Sequence, residues 1–139
     1  RIGDPENFEL KDCSTQRNLD RAGRRQAKTL GNFFRQIGMN FNEILSSEWC
    51  RCKETAELMQ FGQWKPFPGL NSFYEGYADK EKTLSLLQKK LNLVKTEELV
   101  LLITHQVIIS AITNTFVASG EMVLYNSKTG KSKHYQWAK

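Results

Sequence analysis

The chain is short of histidine and of every pattern that would build a metal centre. It holds two histidines, His105 and His134, and three cysteines, Cys13, Cys50 and Cys52, in 139 residues. The cysteines form no repeated ligand spacing, and Cys50-Arg51-Cys52 lacks the second pair that a zinc site needs. They read as small, mostly buried residues, and no metal is expected. A long apolar run is also lacking. The most apolar stretch, 99–112, is broken by His105 and Gln106 and falls short of the roughly 20 residues that cross a bilayer, so no membrane span is expected. There is no internal repeat and no low-complexity tract. With 40% apolar and 25% charged residues the composition excludes disorder.

What is present is enough for one core, and residues 1–139 read as a single domain. The net charge is +5, part of it in Arg17, Arg21, Arg24, Arg25 and Lys28. Such a balance favours anionic partners, whether phosphorylated small molecules, nucleic acid or an anionic membrane surface, without choosing among them. A solvated helix face is the plainer reading for most of these residues. The sequence opens on Arg1 rather than Met, which points to an upstream part and leaves localisation and any export signal unread.

Residues 1–18 mix Gly, Pro, Asp, Asn and Ser without a period and predict an irregular loop. Asp20 can cap a helix in which Ala27, Leu30, Phe34 and Ile37 recur at helical spacing until Gly38 ends it. EILSS predicts a short strand over 43–47, and EWCRCKETAELMQ a second helix. Residues 61–79 read as a loop, but one rich in rings and so expected to pack over something. A third helix follows from Lys80 to about Leu91. The run LVLLIT predicts a buried-type strand over 99–104, and 107–117 a helix apolar nearly all round and therefore buried. The tail predicts two strands joined by a turn over 127–130. Alternating helices and strands argue for an α/β domain with a largely parallel sheet covered on both faces.

Two strand-to-helix units stand out, EILSS into EWCRCKETAELMQ and LVLLIT into HQVIISAITNTF. In open parallel sheets ligands bind beyond the carboxyl ends of the strands. Each unit puts a polar residue there: Arg51 in the first, His105 with Gln106 in the second. Helix N-termini attract phosphate through unpaired N–H groups and the dipole. A guanidinium fork holds two phosphate oxygens, and a protonated or N–H-donating imidazole a third. Phosphoryl transfer is the chemistry that fits. Taken singly, His105 also reads as a hydrogen-bonded structural residue, and Arg51 as a partner of Glu48 or Glu54.

At these residues the sequence resembles the histidine phosphatases, the phosphoglycerate mutase-like superfamily. SSEWCRCKETAELM resembles its second-arginine motif and ITHQVIISAIT its second-histidine motif, while GDPENFELKDCSTQRNLDRAGRRQAKTLG resembles a bacterial branch. The resemblance implies a phosphoglycerate mutase-like three-layer α/β sandwich with a mostly parallel central sheet. It further implies hydrolysis of phosphomonoesters through a phosphohistidine, without metal or organic cofactor. Arg51 then corresponds to the pocket arginine and His105 to the second histidine. The family's nucleophile is a histidine in an Arg-His dipeptide on a central first strand, and that dipeptide is not in this sequence. It is expected upstream of the GDP stretch, and the sheet is expected to show a gap in its place.

The family's acidic proton donor falls on Ser72 here, so Glu75 is the candidate acid, or else a surface carboxylate. Arg17 is a candidate substrate contact or a loop arginine bonded to local carbonyls, and Gln106 a candidate donor. His134 reads as a surface residue. The expected partner is a phosphorylated small molecule or inorganic phosphate rather than nucleic acid. The rival readings are a non-catalytic phosphate-binding module and, more remotely, a nucleic-acid binder using the basic helix after Asp20.

Overall fold

The computed structural model describes residues 3–135 and residue 137. Asp20 starts the first helix by accepting the Gly23 N–H at 2.8 Å, and α1 runs Arg21–Gln36. It ends as Gly38 takes φ 69° and the Met39 N–H reaches back to the Phe34 carbonyl at 2.9 Å. The chain continues through β1 (Glu43–Ser46), α2 (Cys50–Met59), β2 (Lys65–Pro66), α3 (Lys80–Leu93), β3 (Val100–Ile103), α4 (Gln106–Thr113), β4 (Met122–Tyr125) and β5 (Ser132–Tyr135).

Strands β2, β1 and β3 form a parallel sheet in that order, with Ser46 opposite Ile103, while β4 and β5 pair separately as an antiparallel hairpin. Leu45 and Leu102 meet Leu87 and Leu91 of α3 and Ile108 of α4 on one face. Alternation along β1 turns Ile44 to the opposite face, where α2 packs on the sheet and α1 on α2. Gly31 lets the two helices close up, since a Cβ there would lie 2.1 Å from the Met59 carbonyl oxygen. Helices on both faces of a parallel sheet bear out the α/β expectation. Among the described residues no helix is long and apolar enough to cross a membrane.

Three expectations are corrected. The segment 61–79 is not all loop: it contains β2 and two 3-10 turns, Pro68–Leu70 and Tyr74–Gly76, and Leu70 is fully buried. Helix α4 stops at Thr113, where Asn114 enters the left-handed region at φ 55°, and only Ile108 on it is buried. Strand β3 is half-buried throughout, less so than β1. The reason is an apolar cavity of about 250 Å³ that opens between β3 and β4. Leu101 and Leu102 line one side and Val123 and Leu124 the other, with Phe34 and Ile109 also on its wall. Among the described residues neither β3 nor β4 has a second strand partner.

The cysteines also differ from expectation. Cys13 and Cys50 form a disulfide with Cα atoms 5.7 Å apart, and Cys13 is exposed. Only Cys52 is a buried free thiol. The bond clamps the irregular first loop to the first residue of α2, so Cys50 is not available to a metal.

Candidate functional site

The pairing of Ser46 with Ile103 brings the ends of β1 and β3 level, so the residues that follow them meet. Ser47 follows β1, and its hydroxyl lies 2.7 Å from His105 Nε2. The same oxygen accepts the Trp49 N–H at 3.1 Å and donates to Asn71 Oδ1 at 3.3 Å. With its proton on Asn71, Ser47 can only accept from the imidazole, which places the imidazole hydrogen on Nε2. The free Nδ1 lone pair then faces Arg51 Nη2 at 3.5 Å. His105 is buried and the Trp49 ring stands edge-on to it at 5.3 Å. Burial first, then the Arg51 charge, push its pKa down to about 3. In this state the ring is neutral, with its N–H given to Ser47 and its Nδ1 lone pair turned toward Arg51.

Arg51 sits in the first turn of α2 and pairs with neither Glu48 nor Glu54. Glu54 is held by Arg24 at 3.0 Å, and Glu48 by Asn71 at 2.9 Å. Arg51 turns instead to Asp4, with Nη1 at 3.1 Å from Oδ1 and at 3.2 Å from the Arg17 carbonyl. Asp4 also accepts the Arg17 N–H at 2.9 Å on Oδ1 and the Trp49 indole N–H at 2.9 Å on Oδ2. Burial acts to raise the Asp4 carboxyl, but the Arg17 N–H, the Trp49 indole and the Arg51 guanidinium outweigh it and hold it below its ordinary value. Its side chain is 5% exposed.

The first loop is fastened beside this cluster. The Gln16 amide oxygen accepts the Cys50 N–H at 2.9 Å, and its nitrogen donates to the carbonyls of Glu9 and Leu10. An otherwise unpartnered donor at the start of α2 is thus capped from a distance. Cys52 lies 3.7 Å from His105 Nε2, and burial pushes its thiol up to about 12, so it is an inert neutral group.

Arg51, His105 and the Arg17 backbone therefore come together. Gln106 does not join them, for its amide donates to the Val117 carbonyl. Glu75 is exposed in the turn Tyr74–Gly76 at φ 57°, and its carboxylate lies over Gly3, where a Cβ would approach Oε1 to 2.9 Å. Ser72 is buried and accepts the Tyr74 N–H, so it has no acidic part to play. His134 is exposed on β5 against the Phe116 carbonyl. On α1, Arg21, Arg24, Arg25 and Lys28 are all exposed, as expected of a solvated face. Asp4, Gln16, Ser47, Trp49 and Asn71 belong to the site although sequence reasoning did not select them. None of these carried a local signal in the sequence.

Residues 13–75 match the family model described as the histidine phosphatase superfamily (branch 1). No curated protein sequence matches the chain. Among solved structures it is similar to the protein histidine phosphatase SixA complexed with tungstate, with a TM-score of 0.61 and 17% identity, covering 96% of this chain and 90% of that one. It is also similar to phosphoglycerate mutase from Plasmodium falciparum, with a TM-score of 0.54 and 16% identity, covering 84% of this chain and 82% of that one. At such identities the likeness shows the fold, which is α/β and phosphoglycerate mutase-like. The histidine phosphatase resemblance read from the sequence is borne out over the matched residues, which include Arg17, Arg51 and Glu75 and stop short of His105.

Proposed function

We propose that this chain is the phosphate-binding body of a histidine phosphatase that hydrolyses phosphomonoesters through a phosphohistidine. The observation that carries the reading is the meeting of Arg51 and His105, 3.5 Å apart, beyond the carboxyl ends of adjacent parallel strands. Tungstate, a tetrahedral oxyanion, bound to the SixA neighbour fits a pocket of this kind. An Arg-His segment outside residues 1–139 supplies the nucleophile, seated as a strand in the apolar cavity between β3 and β4. Two strand edges without a partner among the described residues and an apolar lining suit an extended chain there.

In the first step an imidazole nitrogen of that segment attacks phosphorus, and the ester P–O bond breaks as the leaving oxygen takes a proton from Glu75. Arg51 neutralises charge on the equatorial oxygens. His105 joins it once the charge of the arriving dianion favours protonation at Nδ1. Water then attacks phosphorus and gives a proton to the Glu75 carboxylate, the P–N bond breaks, and orthophosphate leaves with the imidazole and the Glu75 acid regenerated. Arg17 contributes through its backbone N–H and its charge, which also acts on His105.

The test is hydrolysis of p-nitrophenyl phosphate by a protein extended upstream to include an Arg-His pair. Arg51→Ala or His105→Ala should each lower kcat by about a hundredfold or more, and residues 1–139 alone should not turn over. Unchanged rates in both variants would remove them from the mechanism. A non-catalytic phosphate-binding module is the second reading, favoured by one observation: within this chain His134 lies on β5, away from His105. Phosphate binding without turnover by the extended protein would establish it.

A further inference from the structure

Asp4 is a carboxylate in the position of a ligand. Its two oxygens take three converging donors: Arg51 Nη1 at 3.1 Å, the Arg17 N–H at 2.9 Å and the Trp49 indole N–H at 2.9 Å. Planar forks and fixed N–H groups that bind a carboxylate bind phosphate equally well. The donors are rigidly held. Trp49 is 1% exposed and stacks on Phe8 at 5.0 Å. Arg51 stands on α2, and the Arg17 loop is tied to that helix by Gln16 and by the disulfide.

The backbone of Asp4 is held as well, since the Tyr77 hydroxyl donates to the Asp4 carbonyl at 3.0 Å with the Pro5 carbonyl at 3.2 Å. Asp4 can leave the three donors by rotation of its own side chain, without unfolding the loop. While it stays, its charge cancels that of Arg51, and its oxygens fill the places that phosphate oxygens would take.

We infer that Asp4 is a built-in competitor for the anion pocket, and that Arg51, the Arg17 N–H and the Trp49 indole form an oxyanion subsite which phosphate enters only by displacing it. The inference rests on the phosphate-pocket reading above and adds its regulation and two of its donors. A pocket closed by its own side chain lowers apparent affinity by the fraction of time it is open. The device keeps a strongly cationic pocket from holding product phosphate, and makes occupancy depend on a ligand with more charge than one carboxylate.

The experiment is titration of the purified chain with inorganic phosphate, read by calorimetry and by the Trp49 indole N–H resonance. Asp4→Asn and Asp4→Ala are each expected to tighten phosphate binding about tenfold or more. Saturating phosphate is expected to move the Trp49 indole resonance in the wild-type chain, as that donor changes acceptor. Arg51→Ala should abolish binding in both backgrounds. Unchanged or weaker binding in both Asp4 variants, with Arg51→Ala still disruptive, would overturn the competitor and leave the pocket standing. Binding indifferent to Arg51→Ala would instead defeat the pocket reading itself. Should either Asp4 variant fail to fold, the wild-type resonance decides: a Trp49 signal unmoved at saturation means that Asp4 never leaves.

Discussion

Ser47 Oγ and His105 Nε2 lie 2.7 Å apart, and this contact between the ends of two adjacent strands sets which face of the imidazole is open to a ligand. Because Ser47 takes the Nε2 hydrogen, the Nδ1 lone pair points at Arg51. Ser47→Ala leaves a buried N–H without its acceptor. A loss of roughly 1–3 kcal/mol in unfolding free energy is expected from urea denaturation. Nitrogen NMR of the wild type should show the Nε2-H tautomer, and an Nδ1-H ring would refute the assignment.

The same burial makes stability depend on pH. The folded-state pKa of His105 falls from 6.5 to about 3, so between these values the unfolded chain binds a proton that the native chain refuses. Stability is then full above the unfolded value and declines as pH falls through the window, by up to about 1.4 kcal/mol per pH unit. Asp4, also depressed, adds its loss only below its ordinary value of 3.8. Urea midpoints at pH 7, 6, 5 and 4 check the slope, and His105→Asn should flatten it above the carboxylate range. An equal slope in that variant would show that other groups carry it.

The disulfide should matter to the fold and the site together. Cys13 and Cys50 are 37 residues apart, and closing a loop of that size stabilises by roughly 3–4 kcal/mol on chain-entropy grounds. Cys13→Ser is expected to lose an amount of that order and to weaken phosphate binding, because the Arg17 N–H is presented by the loop that the bond holds. Cys52, buried and neutral, should resist alkylation until the chain unfolds. Rapid labelling of Cys52 under native conditions would contradict its burial.

How much of this was legible from the sequence depends on whether the causes were local. Arg51 and His105 were legible because a short apolar strand running into a helix is a local pattern, and the residue at the junction has only one edge of the sheet to face. Their meeting followed from parallel pairing, which the alternating elements implied. Asp4, Gln16 and the Cys13–Cys50 bond were not legible. They lie in a loop without period, and their contacts to α2 span 34 residues or more of sequence. Strand β3 misled because its apolar run predicts burial by a whole sheet, whereas the described residues cover only one of its edges. Helix α4 ended early for a backbone reason, the left-handed Asn114, which its apolar pattern does not encode.

Glu75 offers the sharpest test of the catalytic reading. A glutamate at φ 57° and ψ 22° is held where an L side chain costs about 1–2 kcal/mol, and such strain persists where the surroundings fix it. Its carboxylate rests over Gly3, the neighbour of Asp4 in sequence. If its task is to protonate the leaving oxygen, the need for it scales with the basicity of that oxygen. An alkoxide cannot depart without a proton, while p-nitrophenolate can. In a protein carrying the Arg-His segment, Glu75→Gln should therefore slow hydrolysis of an alkyl phosphate about a hundredfold and that of p-nitrophenyl phosphate far less. Glu75→Gly relieves the backbone as well and should raise stability by about 1 kcal/mol while showing the same kinetic split. A uniform loss on both substrates would make Glu75 a binding residue, and no loss on either would make it a surface carboxylate.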